Sequence, residues 1–326
     1  MSGARVAVVM GGRSSEHEVS LRSGQQVLAA LEGQHPLPVV ISREGRWTVD
    51  GVSLPVGQAV DRLRHEIDVV FLALHGAFGE DGTIQGLFEM VGLAYTGSDV
   101  LGSALAMDKV RTKLVYRASG LPTPDFVAMT PTTSRAEARA EAERRLGFPS
   151  VVKVARSGSS TGVKFAKNPA ELEAIVDEFM GSTELVLVER FVRGRELTCG
   201  VLDHVDGPRA LPPTEIVPTE GFAFFDYVAK YTPGATQEIT PARFDAETTQ
   251  EIQRLAVEAH RALGCRDMSR TDMIIGDDGC VMLIETNTIP GFTAQSLLPQ
   301  AAEAAGMSFP ALVAHLVERA RARGVR

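Results

Sequence analysis

One pattern in this chain restricts the available folds more than any other: short unbroken apolar runs that end in glycine- or acid-rich loops. Val6–Met10 runs into Gly11-Gly12, and Asp68–Leu74 runs into His75-Gly76 and Gly79-Glu80-Asp81-Gly82. A strand that is apolar throughout is buried on both faces, the condition of a parallel sheet covered by helices. A helix is expected from Glu16, with Ser15 and Glu18 as a capping box and Val19, Val27, Leu28 and Leu31 on one face. Pro38–Ser42 reads as a further strand. Residues 1–98 are therefore expected to form a doubly wound α/β domain, in which ligands gather beyond the strand C-termini.

From residue 99 the pattern changes. Ser103–Gly120 reads as one helix ended by Gly120-Leu121-Pro122. Strands at Asp125–Met129, Ser150–Ala155 and Glu184–Arg190, with helices at Ser134–Leu146 and Asn168–Phe179, outline a smaller domain over 99–187. Strands then dominate, at Glu196–Leu202, Ala210–Val217, Met268–Ile275 and Cys280–Asn287. Helices at Ala246–Leu263 and Phe309–Ala322 complete a third domain over 188–326. A length of 326 residues exceeds what one core supports, so several domains sharing a site are expected. The expected fold class is α/β and α+β in three domains. Two loops, Arg156–Gly162 and Thr219–Gln237, are long for connections inside compact domains, and such loops are commonly functional.

Charge narrows the partners. The net charge is −8, with both signs interspersed, and no basic cluster exists to hold a nucleic acid. No segment approaches the length of a membrane span, and the Met1–Met10 apolar run is too short for a signal peptide. Cys199, Cys265 and Cys280 form no CxxC, which fits a reducing compartment. A cytoplasmic enzyme or binding protein is expected.

Several segments carry side chains suited to chemistry. In the hairpin Arg270–Asn287, two strands flank Gly276-Asp277-Asp278-Gly279. With Asp277 and Asp278 as the central turn residues, Arg270 should lie opposite Glu285 and Asp272 one diagonal step away. Asp272, Glu285 and Asn287 would then offer hard oxygen ligands beside a guanidinium, a donor set for Mg²⁺ on polyphosphate. A solvated charge ladder is the plain alternative. Ser157-Gly158-Ser159-Ser160-Thr161-Gly162 follows a strand that carries Lys153. It can wrap phosphate with backbone N–H groups, although it has no Walker A spacing and a linker reading stays open. Gly11-Gly12-Arg13-Ser14-Ser15-Glu16 lacks GxGxxG spacing, but it delivers the Glu16 carboxylate to a helix start, where it suits an ammonium. His75, the Lys230-Tyr231 pair, and Glu189 with Glu196 around Phe191-Val192 are each weak signals alone.

Taken in order, these segments resemble one family. Gly11–Ser20, His75–Gly82, Met107-Asp108-Lys109, the Lys153–Gly162 loop, Phe225–Tyr231, Arg270-Thr271-Asp272 and Glu285–Thr293 are similar to the corresponding strings of D-alanine–D-alanine ligases, in the ATP-grasp superfamily. The likeness covers nearly the whole chain. It implies a three-domain ATP-grasp fold with the site in the cleft, two D-alanine substrates, ATP, and two Mg²⁺ ions with Mn²⁺ as a substitute. It also implies a homodimer and a place in peptidoglycan precursor synthesis. Lys109 and Lys153 would neutralise nucleotide phosphates. Glu189 would hold the adenine amine, Phe191 and the backbone near Val192 the adenine ring, and Glu196 the ribose. Lys230 would touch the transferred phosphate. Asp272, Glu285 and Asn287 would bind the metals. Arg270 and the Gly291 N–H would stabilise an oxyanion, and Glu16 would take the first ammonium. Ser296 and Leu297 would hold the second D-alanine, and Ser159 and Tyr231 would link to Glu16 over the site. Two positions depart from the family pattern: Val154 stands where proline is usual, and Phe191 where tryptophan is common.

Three other activities compete. A D-alanine–D-lactate ligase tends to lose the tyrosine matched by Tyr231, which is present here. A glutathione-synthetase-like ligase is opposed by the Glu16 loop and the Asn287–Thr293 string. A catalytically dead nucleotide-binding regulator would break the Arg270, Asp272, Glu285, Asn287 set, which is intact.

Overall fold

The computed structural model describes residues 4–156, 162–181, 185–219 and 236–324, and these build three β-sheets. In the first, β1 (Val6–Gly11) pairs in parallel with β2 (Leu37–Ile41) on one side and β5 (Val69–Leu72) on the other. Every residue of β1 and β5 is buried, as their unbroken apolar sequences demand. Helix α1 (His17–Ala30) follows β1. The expected Ser15–Glu18 capping box does not form: Glu16 occupies the cap position and no side chain caps it. Ser14 takes over, its Oγ accepting the Glu16 N–H at 3.2 Å while donating to the His75 carbonyl at 2.6 Å. Two three-residue strands, β3 (Trp47–Val49) and β4 (Val52–Leu54), extend the sheet antiparallel to the order β4-β3-β2-β1-β5. They are too short to show alternation in sequence. Helices α2 (Val56–Glu66) and α3 (Thr83–Val91) flank β5 along the chain.

The single helix expected over Ser103–Gly120 is two, α4 (Val100–Met107) and α5 (Lys109–Ala118). Asp108 breaks it: its backbone is extended (φ −94°, ψ 99°) and its carboxylate caps α5 by accepting the Arg111 N–H at 3.1 Å. Capping by Asp competes with helix continuation.

The second sheet has the order β6-β9-β7-β8, antiparallel throughout: β6 (Phe126–Met129), β7 (Ser150–Val154), β8 (Val163–Ala166) and β9 (Val186–Arg190). Helices α6 (Arg135–Leu146) and α7 (Pro169–Met180), capped by Ser134 and Asn168, cover it. A domain limit between 187 and 188 would cut β9.

The third sheet, also antiparallel, has the order β13-β12-β10-β14-β15 with β11 beside β10. Its strands are β10 (Gly194–His204), β11 (Gly207–Ala210), β12 (Thr214–Pro218), β13 (Thr236–Ile239), β14 (Met268–Gly276) and β15 (Val281–Asn287). The one strand expected over Ala210–Val217 is thus split between β11 and β12. Leu197, Cys199, Val201, Met273 and Leu283 point into a core shared with helix α8 (Ala246–Ala262) and with Ala106 and Tyr116 of α4 and α5. Helices α9 (Leu297–Ala304) and α10 (Phe309–Arg323) instead join the core of the first sheet through Leu298, Ala301, Leu312, Val313, Leu316 and Val317.

Candidate active site

The β14–β15 hairpin brings the expected ligands together in a different register. Asp272, and not Arg270, lies opposite Glu285, and Arg270 lies opposite Asn287. Two one-residue offsets produce this. The turn has three residues, Asp277, Asp278 and Gly279, closed by Gly276 N–H to the Cys280 carbonyl at 2.9 Å, with Gly279 left-handed at φ +80°. A bulge then falls between Met273↔Leu283 and Asp272↔Glu285. Beside it the Leu283 N–H donates to the Pro122 carbonyl and its own carbonyl accepts from Thr123 Oγ1, both at 2.8 Å. Each offset alone would flip side chains across the sheet. Together they preserve the faces, so Arg270, Asp272, Glu285 and Asn287 still share one.

That face is dense in charge. The Asp272 carboxylate accepts Arg270 Nε at 2.8 Å and Nη2 at 2.9 Å. Thr198 Oγ1, directly across on β10, donates at 2.7 Å, and Asn287 Nδ2 at 3.3 Å. Lys109 Nζ lies 3.3 Å from Glu285 Oε2. Lys109 arrives there because Asp108 restarts the helix and the Lys109 N–H is fixed to the Ala155 carbonyl at 3.0 Å. Arg270 is 6% exposed. Burial alone would lower its pKa, but Asp272, then Glu285 and Glu80, outweigh it and hold the guanidinium above its ordinary value.

Beyond this face a cavity of about 590 Å³ opens between the second and third sheets, the volume of a drug- or cofactor-sized site. Lys109, Lys153, Glu189, Val192, Glu196 and Leu297 line it, with Asp272 and Glu285 at one end. Phe165 and Phe191 form an aromatic wall, edge to face at 6.0 Å between centroids. On its floor the Glu189 carboxylate is 2% exposed and contacts two ammoniums: Lys153 Nζ at 2.6 Å and Lys113 Nζ on its other oxygen. Burial would raise the Glu189 pKa, but Lys113 and Lys153 hold it below the usual carboxylate range. Burial would likewise lower Lys153, and Glu189, Glu285 and Glu196 keep it above the ordinary lysine value.

Loops of the first sheet face the hairpin. Gly76 is left-handed (φ +73°), and a Cβ there would stand 2.6 Å from Glu16 Oε2. His75 is buried and structural: its Nε2 is 2.9 Å from Ser23 Oγ and its Nδ1 3.1 Å from the Ile289 carbonyl. It thereby ties the first sheet to the turn after β15. Phe292, its ring tilted at 58° against Phe71 with centroids 5.3 Å apart, fixes the same turn and so places Gly291. Ser296 sits at the N-terminus of α9, its Oγ 2.9 Å from Thr293 Oγ1.

Lys109, Lys153, Glu189, Phe191, Val192, Glu196, Asp272, Glu285 and Leu297 thus surround one cavity, and Arg270 and Asn287 pair next to Asp272 and Glu285 on the hairpin, outside its lining. Glu16, Gly291 and Ser296 lie on the loops described. Ser159, Lys230 and Tyr231 lie outside the described residues. Sequence reasoning missed Thr198, Phe165 and Lys113. Thr198 follows Glu196 by two and so shares its face, and Val163–Ala166 shows a short alternation, so both left a signal. Lys113, four residues after Lys109 on a helix, reads as an ordinary surface lysine.

The donor set fits Mg²⁺. Two carboxylates opposed across strands, with a side-chain amide beside them, give hard oxygen ligands of the kind Mg²⁺ shares with phosphate and water. Arg270 and Lys109 offset those carboxylates in the structure described.

Known structures share this fold. The VanG D-Ala:D-Ser ligase from Enterococcus faecalis superposes with a TM-score of 0.87 at 33% identity, covering 98% of this chain and 99% of that one. A D-alanine–D-alanine ligase from Bacillus anthracis complexed with ATP gives 0.81 at 31% identity, covering 98% and 99%. Their class is the three-domain ATP-grasp fold. The model of the D-ala D-ala ligase C-terminus matches residues 115–318, and that of the N-terminus matches 5–61 and 50–98. A D-alanine–D-alanine ligase of Desulforudis audaxviator is 45% identical over 322 residues, 98% of this chain and 99% of the relative. The chain belongs to the D-alanine–D-alanine ligase family.

Proposed function

We propose that the protein joins two molecules of D-alanine into D-alanyl-D-alanine with cleavage of ATP to ADP and phosphate, a step of peptidoglycan precursor synthesis. The observation that carries this reading is the shared face of Arg270, Asp272, Glu285 and Asn287 at the mouth of a lysine-lined cavity. ATP would lie with its base against Phe165 and Phe191 and its phosphates toward Lys109 and Lys153. Glu196 is placed for ribose hydroxyls. Asp272, Glu285 and Asn287 would hold Mg²⁺, which when bound supplies charge neutralisation across the phosphates.

Phosphoryl transfer to the carboxylate of the first D-alanine gives an acyl phosphate. The amine of the second then attacks the acyl carbon, and phosphate leaves with the bonding electrons. The buried Arg270 guanidinium, together with the Gly291 N–H, suits the oxyanion that forms. Glu16 suits the first ammonium, and Ser296 with the first turn of α9 suits the second carboxylate. Ser159 and Tyr231 keep the closing role, and Lys230 the contact with the transferred phosphate, that the family likeness implies.

The test is coupled phosphate release with mass analysis of the product. Release should need Mg²⁺ and D-alanine together, and neither L-alanine nor D-lactate should replace D-alanine. A mixed product from D-alanine with D-serine or D-lactate, in preference to the D-alanine dipeptide, would reject the assignment.

For the domains we propose 1–98, then a middle unit ending after Arg190, and the remainder. The pairing of β9 wholly within the second sheet supports moving that limit from 187 to Arg190. We also propose a homodimer. Met90 and Leu101, 90% and 66% exposed on the neighbouring α3 and α4, support it, and sedimentation of a monomer alone would refute it. A cytoplasmic location is proposed from the free thiols of Cys199, Cys265 and Cys280; fractionation of cells would test it.

A further inference from the structure

Three buried charges below the cavity carry more than the family likeness assigns. Glu189 lies between two lysines that differ in one respect. Lys153 lines the cavity, with its side chain 10% exposed, whereas Lys113 is wholly buried and lies behind Glu189. Lys113 is also anchored. Its Nζ donates to Thr123 Oγ1 at 2.6 Å, and Thr123 Oγ1 donates in turn to the Leu283 carbonyl at 2.8 Å. The Phe126 ring closes over the ammonium, with its centroid at 5.8 Å.

Burying an ammonium this completely is costly, and a single carboxylate is already balanced by one cation. Two ammoniums on Glu189 leave the cluster with one surplus positive charge at the cavity floor. Burial pushes Lys113 down to about 8, against the attraction of Glu189.

We propose that Lys113 is a positioning residue, the resident counter-ion of Glu189, which frees Lys153 to turn from Glu189 to a nucleotide phosphate. Glu189 holds Lys153 at 2.6 Å. When phosphate arrives, Lys153 can leave because Lys113 remains behind to neutralise Glu189. If Lys113 were absent, phosphate and Glu189 would compete for one ammonium. The proposal rests on the nucleotide reading of the cavity.

The test compares binding of ADP and of adenosine by calorimetry in the full chain. The ratio of the two dissociation constants reports the phosphate contribution alone. Lys113→Met should weaken ADP by roughly tenfold or more, about 1.4 kcal/mol, and leave adenosine unchanged. Lys113→Met combined with Glu189→Gln removes both charges, and should restore the ratio to near the wild-type value. If Lys113→Met does not fold, the double variant still decides. A wild-type ratio there supports the proposal, and a lowered ratio means Lys113 serves the phosphate directly and overturns it. Parallel losses for ADP and adenosine would show a purely structural lysine and also overturn it. Wild-type protein that binds neither ligand would refute the nucleotide reading itself, a separate failure.

Discussion

Gly76 offers a sharp test of how the first-sheet loops place Glu16. Its φ of +73° is a left-handed conformation, which costs an L-residue about 1–2 kcal/mol. Gly76→Ala also sets a Cβ 2.6 Å from Glu16 Oε2 and 3.2 Å from Ser14 Cβ. Ordinary contact begins at 3.4 Å, so the carboxylate must retreat by 3.4 − 2.6, or about 0.8 Å. A misplacement near 1 Å in a positioning group can cost up to ~100-fold in rate. If Glu16 takes the substrate ammonium, kcat/KM for D-alanine should fall about ten- to a hundredfold, while the dissociation constant for ADP stays within twofold or so. Thermal unfolding should come a few degrees earlier, since each kcal/mol moves the midpoint of a large domain by about 2–4 °C. Steady-state kinetics, calorimetry and a melting curve measure the three quantities. An unchanged kcat/KM with a lowered melting point would show that the strain is real and that Glu16 does not position substrate.

Two further outcomes follow from the charge arrangement. Asp272→Asn should lower turnover by about a hundredfold or more, the scale seen when a transition-state electrostatic partner is removed. Near-normal kinetics in this variant would mean the metal set is misplaced. The buried Arg270 would lose the charge of its bidentate partner there, so a lower melting point should accompany the loss. Glu215 lies between Arg195 at 2.7 Å and Arg243 at 2.8 Å, and these arginines overcome burial to hold its pKa below the ordinary 4.5. A depressed carboxylate contributes stability that is present above 4.5 and is lost as pH falls through its folded value. The melting-point gap between wild type and Glu215→Gln should therefore be full at neutral pH and close on acidification. A gap that keeps its neutral-pH size at every pH at which both proteins remain folded would refute the linkage.

The parts of the site that were legible in sequence are those governed by local periodicity. Period-two alternation placed Arg270 with Asp272, and Glu285 with Asn287, on one face before any register was known. The register itself was not legible. It depends on a third turn residue, Gly279, and on a bulge that sits where Pro122 and Thr123, far away in sequence, hold the backbone of Leu283. Asp108 did leave a sign, a capping residue in mid-helix, but apolar periodicity on both sides masked it. Lys113 left none, because only the fold brings it behind Glu189. The family likeness implies roles that spacing could not suggest, such as Glu189 at the adenine. The geometry adds that the Glu189 carboxylate is shared by two ammoniums.

The return of α10 to the first sheet sets an order on synthesis. Leu312, Val313, Leu316 and Val317 complete the core built on β1 and β5. Arg323 crosses to Asp267 and donates to the Tyr95 carbonyl at 2.6 Å. Domains usually fold in turn as they leave the ribosome. Here the sheet translated first must wait, with one flank uncovered, until residues 309–323 emerge. The Glu16 loop can settle against its hairpin only after the intervening units have formed.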